Sequence, residues 1–134
     1  MPATNFILAY VADVPKSVAL YSKVLGLKPV ENSPNFAMFV QSNGVMIGLW
    51  ARHDVAPPAT APGGMEILFA VKSKAEVEAL LKDWTALGLK IVQQPTQMDF
   101  GYTFTATDPD GHRLRVYAPS AIAEHSREAV EAAG

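Results

Sequence analysis

The side chains that could do chemistry are few, and their types limit what that chemistry can be. The chain has no cysteine, which removes thiolate nucleophiles, disulfides and sulfur-ligated metals and leaves His, carboxylate and main-chain groups for any metal ion. The three histidines are scattered: His53 falls in a Pro-rich linker, His112 in a turn and His125 in the C-terminal tail. The aromatic residues form a more suggestive pattern. Trp50 closes an apolar run beside that linker, where an indole can cover a flat ligand, and Gly48, two residues earlier, makes room for a ring to lie against a sheet. Gly101 sits between Phe100 and Tyr102 in Phe100-Gly101-Tyr102-Thr103-Phe104, and reads either as the same device on an opposite wall or as a β-bulge. Together these residues suggest a slot for a planar molecule.

Length and charge bound the rest. A chain of 134 residues matches one ordinary domain. Hydrophobic residues make up 49% and charged residues 18%, and 11 Lys plus Arg against 13 Asp plus Glu give a net charge of -2. A general nucleic-acid footprint is therefore missing. The opening Met-Pro-Ala-Thr-Asn lacks the basic flank and apolar run of a signal peptide, and no stretch approaches a membrane span. The expectation is a cytoplasmic protein with no membrane and no nucleic-acid partner.

The elements that must position these residues come in two copies. Ile7-Leu8-Ala9-Tyr10-Val11 returns sixty positions on as Ile67-Leu68-Phe69-Ala70-Val71, and Leu25-Gly26-Leu27-Lys28-Pro29-Val30 returns as Leu87-Gly88-Leu89-Lys90-Ile91-Val92. Gly44 through Trp50 parallels Gly111 through Tyr117 in pattern rather than identity. Each copy reads as strand, helix and three strands. A first helix starts near Asp13, carries Pro15 in its first turn and stops at Gly26; a second is capped by Ser73 with Glu76 three residues on, and stops at Gly88. Trp84 lies on the apolar stripe of the second helix and reads as core. Asn43-Gly44 predicts a two-residue hairpin turn, with Asp108-Pro109-Asp110-Gly111 as its counterpart.

The reading is a single α+β domain of two βαβββ modules. Residues 5–56 form the first module, 57–64 a linker, 65–119 the second module and 120–134 a tail helix. Each curved mixed sheet would be covered on one face by its helix and left apolar and concave on the other. Two such faces would close a cavity, and so short a chain commonly completes its core as a homodimer, side by side or domain-swapped.

This order of elements, the run Val11-Ala12-Asp13-Val14-Pro15-Lys16-Ser17-Val18-Ala19-Leu20-Tyr21 before Leu25-Gly26-Leu27, and the Asp108-Pro109-Asp110-Gly111 turn resemble the vicinal oxygen chelate superfamily. That superfamily includes glyoxalase I, extradiol dioxygenases and bleomycin-binding proteins. The resemblance implies metal-ligand positions on the first and fourth strands of each module, here Phe6, Gly48, Glu66 and Arg115. The repeat offsets, 60 from Phe6 to Glu66 and 67 from Gly48 to Arg115, support that register. A divalent ion needs three or four N or O ligands, and these positions supply one. A +2 ion about 4 Å from a guanidinium would also be repelled by about 8 kcal/mol at an effective dielectric near 20. The expectation is no metal and no cofactor, with Glu66 and Arg115 paired where the ion would sit.

Strand alternation then places Phe6, Leu8, Tyr10, Met38, Met46, Gly48 and Trp50 on the open face of the first module. Glu66, Leu68, Arg113, Arg115 and Tyr117 fall on that of the second, with some of Phe100, Tyr102 and Phe104. Within the superfamily the chain is similar to phenazine antibiotic resistance proteins, through Gly48-Leu49-Trp50, Phe100-Gly101-Tyr102-Thr103-Phe104, Asp108-Pro109-Asp110-Gly111-His112 and Arg115-Val116. That likeness implies a metal-free dimer that sequesters a planar aromatic antibiotic, with Trp50 as the stacking indole and no catalytic residue. The alternative is a metal-independent enzyme with Glu66 as general base.

Overall fold

The computed structural model describes residues 4–120. The fold is α+β and divides between Ala61 and Pro62 into two compact units. The first runs β1 (Phe6–Val11), α1 (Val14–Leu25), β2 (Glu31–Asn32), β3 (Phe36–Val40) and β4 (Met46–Ala51). The second repeats the order with β5 (Glu66–Ala70), α2 (Lys74–Ala86), β6 (Lys90–Met98), β7 (Gly101–Thr107) and β8 (Arg113–Pro119). Each unit holds one mixed four-stranded sheet, ordered β1-β4-β3-β2 in the first and β5-β8-β7-β6 in the second. The proposed tail helix lies almost wholly outside the described residues.

Local chemistry sets the helix boundaries. Asp13 accepts a hydrogen bond from the Lys16 N–H at 3.1 Å, satisfying one of the free donors at the start of α1. Gly26 ends that helix at φ 66°, a left-handed conformation that costs glycine nothing. In α2 the Ser73 hydroxyl accepts from the Glu76 N–H at 3.2 Å, while the Glu76 carboxylate accepts from the Lys72 N–H at 2.8 Å, one residue before its place in an ideal capping box.

The helices cover one face of each sheet. In the first unit Val11, Val14, Tyr21, Phe39, Ile47 and Leu49 are fully buried between α1 and its sheet. In the second, Trp84 meets Phe69 and Phe104 edge to face, each at 5.4 Å between ring centres, beside buried Val77, Leu114 and Val116. Trp84 is therefore core, and each large side chain so buried stabilises the unit by roughly 1.5 to 3 kcal/mol.

The sequence repeat reappears as equal strand pairing. Phe6 is the parallel partner of Met46, and Glu66 that of Arg113. The two hairpin turns also match each other, though not the expected two-residue form. Gln41 N–H donates to the Val45 carbonyl and Gly44 N–H to the Gln41 carbonyl; Asp108 N–H donates to His112 and Gly111 N–H to Asp108 in the same way. Three residues therefore span each turn, with Gly44 and Gly111 at φ 87° and 88°. A type I turn closed by a left-handed glycine suits the strand twist and needs one residue more than a primed turn.

Candidate functional site

The open face of each sheet carries the residues of interest, and each is built by strand alternation. In the first unit three cross-strand rows run Phe6–Met46–Val40, Leu8–Gly48–Met38 and Tyr10–Trp50–Phe36. Their side chains point away from α1, and Leu8 and Tyr10 remain 39% and 38% exposed. Tyr10 and Trp50 meet edge to face at 6.1 Å. Gly48 leaves a dent in the middle row, and the Phe6 ring fills it: a Cβ at Gly48 would stand 2.7 Å from Phe6 Cε1 and 2.9 Å from Leu8 Cδ1. The face is a nearly continuous apolar and aromatic surface with two flexible methionines.

In the second unit the equivalent positions carry charge. Arg115 donates from Nε to Glu66 Oε1 and Oε2 at 3.1 and 3.2 Å, and from one terminal nitrogen to Oε2 at 2.9 Å. Its other terminal nitrogen donates to Gln93 Oε1 at 2.8 Å and makes a longer contact with Thr103 Oγ1 at 3.4 Å. Thr105 also donates to Gln93 Oε1 at 3.0 Å, and Thr103 donates to the Val116 carbonyl at 2.7 Å. The guanidinium carbon lies 5.6 Å from the Phe100 ring centre, and Phe100 meets Tyr117 edge to face at 5.9 Å. A half-buried, two-point ion pair is thus held on an aromatic and hydroxyl-lined bed.

The aromatic residues of β7 fall differently from expectation. Phe104 is fully buried beneath Trp84, and the Tyr102 hydroxyl donates to Glu78 of α2 with Lys74 over its ring. Both belong to the helix-covered side, and Thr103 and Thr105 take the places beside Arg115. The cause is Gly101. It opens β7 opposite Met98, which leaves Phe100 in the turn before the strand, so alternation does not run from Phe100 to Tyr102; the Phe100 ring meets Arg115 and Tyr117 while Tyr102 and Phe104 turn to the helix. The space that its missing side chain leaves is taken by backbone, because a Cβ there would stand 2.0 Å from the Ala118 carbonyl oxygen. Gly101 therefore serves close backbone approach rather than a ligand slot. Gln93, Thr103 and Thr105 were not legible as partners of Arg115 from sequence.

These residues do not make a cage for a divalent ion. Among the described residues no three His, Cys, Asp or Glu side chains converge on a point. His53 is an exposed neighbour of Asp54, and the His112 backbone N–H is tied to Asp108 within its turn; His125 lies outside the described residues. No helix among the described residues is long and apolar enough to cross a membrane.

The chain is 30% identical over 115 residues to the phenazine antibiotic resistance protein EhpR of Enterobacter agglomerans, covering 84% of this chain and 88% of that protein. A solution NMR structure of a protein from Agrobacterium tumefaciens is 48% identical and superposes with a TM-score of 0.85 over 90% of this chain and 100% of that one. A glyoxalase-related enzyme from Fulvimarina pelagi, 23% identical, shares the fold with a TM-score of 0.78 over 87% of this chain and 88% of its own. The sequence profile of the Glyoxalase/Bleomycin resistance protein/Dioxygenase superfamily matches residues 4–116. With two βαβββ units and that match along most of its length, the chain belongs to this superfamily.

Proposed function

We propose that this chain is a metal-independent binding protein that sequesters planar aromatic antibiotics of the phenazine type and returns them chemically unchanged. One observation carries the reading: the positions where superfamily enzymes place metal ligands hold a phenyl ring, a glycine and an Arg–Glu pair whose charges already satisfy one another. What the open faces offer instead is ring surface, from Phe6, Tyr10, Phe36 and Trp50 in one unit and Phe100 and Tyr117 in the other. Similarity to a phenazine resistance protein supports the ligand class.

Burying roughly 200 Å² of a fused ring at about 25 cal/mol per Å² contributes about 5 kcal/mol, and each stacking partner adds about 0.5 to 1.5. After association costs, affinity on the order of micromolar is expected. The protein acts in the cytoplasm as a homodimer in this reading, which sedimentation at several concentrations tests.

Use of Glu66 as a general base is disfavoured by its pairing. Taking a proton would cancel the charge that Arg115 is bound to and leave a half-buried guanidinium uncompensated.

Titration with phenazine should quench indole fluorescence in a saturable way, and Trp50→Phe should remove most of the effect while Trp84 stays in the core. The phenazine should be recovered intact. Absence of saturable quenching, or chemical conversion of the ligand, would overturn the proposal.

A further inference from the structure

The open face of the first sheet carries a single charge. The short strand β2 extends its middle row by one place: Glu31 is the antiparallel partner of Met38, so the row reads Leu8–Gly48–Met38–Glu31. Paired residues share a side, which puts Glu31 on the face that α1 does not cover. Glu31 is exposed, and among the described residues its carboxylate has no hydrogen-bond or ion-pair partner. No strand position on this face carries Lys, Arg or His. The other charges described in this unit lie off the sheet. Asp13, Lys16 and Lys23 belong to α1 and its cap, and exposed Lys28 to the connection after it. Arg52 and Asp54 share the turn that follows β4, where their charges cancel.

The rings beside Glu31 have a polarity of their own. The indole of Trp50, partly exposed, and the phenol of Tyr10, 38% exposed, stand together at one end of the face, and the face of each such ring is negative and attracts a cation. Two strand spacings and two residues of rise separate the backbone of Trp50 from that of Glu31, about 12 Å in all. A three-ring system laid over Phe36 and Met38 spans that gap within reach of both side chains.

Building on the binding role proposed above, and within the first unit alone, we infer that this face selects planar aromatics whose ring system carries a positive charge over neutral or anionic rings of the same shape. Trp50 and Tyr10 hold the ring through its charge as well as its area, and Glu31 supplies the counter-charge from the edge of the sheet.

Calorimetric titration of the whole chain with phenazine and with N-methylphenazinium compares nearly the same ring without and with the charge, and phenazine carboxylate supplies the anion. N-methylphenazinium should bind about tenfold more tightly than phenazine, the carboxylate most weakly, and added salt should narrow the gap. Glu31→Gln should cut the preference for the cation to about threefold while leaving the affinity for phenazine unchanged, which a loss of fold would not do. Equal affinities for phenazine and N-methylphenazinium, tighter binding of the carboxylate, or a preference that Glu31→Gln leaves untouched would overturn the inference and leave the binding role standing. Failure of all three compounds to bind would overturn the two together.

Discussion

In the first unit the Phe6 ring lies over Gly48; in the second, the Glu66 carboxylate at the equivalent place grips Arg115. The strand pairing around the two sites is the same, Phe6 with Met46 and Glu66 with Arg113, and so is the turn that feeds the last strand of each sheet. One backbone therefore accommodates two ways of filling the same volume, a hydrocarbon ring over an absent side chain and a neutralised charge pair. The lesson is that this fold fixes where side chains from its first and last strands meet, and leaves open what they do there.

The glycines of the two sheets differ most in consequence. Gly101→Ala would drive a Cβ into the Ala118 carbonyl at a φ that L-residues avoid, and should destabilise by about 3 kcal/mol or more, read as a fall in denaturation midpoint. Gly48→Ala meets only the outer ends of the Phe6 and Leu8 side chains, which can swing outward, so its cost should stay within about 1 kcal/mol. Equal effects would mean that the dent at Gly48 is as rigid as the backbone contact at Gly101.

Next in size is a transplant of one filling into the other unit. Glu66→Phe alone strands the Arg115 guanidinium and should cost about 2 to 4 kcal/mol, between the values for exposed and buried pairs. Combining it with Arg115→Gly recreates the ring-over-glycine arrangement of the first unit and should recover part of that loss, a coupling that a double-mutant cycle measures in chemical denaturation. Additive losses would show that the two sites are not interchangeable.

The smallest effect lies on the helix side of the second unit, where the first unit has no counterpart. The hydrogen bond that Tyr102 gives to Glu78, reinforced by desolvation and by the carboxylate's charge, raises the phenol pKa above the ordinary tyrosine range. A raised folded-state value means that the contribution to stability is complete below the ordinary tyrosine pKa and is lost as pH climbs through the raised one. Ultraviolet titration should follow the late ionisation of Tyr102 as a change lost on Tyr102→Phe, and Glu78→Gln should bring it to lower pH.

Much of this was legible in the chain because repetition supplies its own check. The offsets of 60 and 67 located the equivalent positions, and the caps at Asp13 and Ser73 follow from single side-chain oxygens in the right place. The face assignment of β7 was not legible. Alternation counted from Phe100 puts Tyr102 and Phe104 on its side, but Phe100 stands in the turn between Met98 and Gly101, where a period of two does not apply. Gln93 was hidden for a related reason: β6 carries register shifts on both sides of it, so no period of two survives to say which way its amide points.

The central claim, that the coordination positions have become a phenyl ring, a glycine that the ring covers and a satisfied ion pair, is tested most directly by elemental analysis after equilibration with excess zinc, manganese or ferrous iron and gel filtration. The account predicts metal far below one ion per chain. One ion per chain, lost on Glu66→Ala, would contradict it.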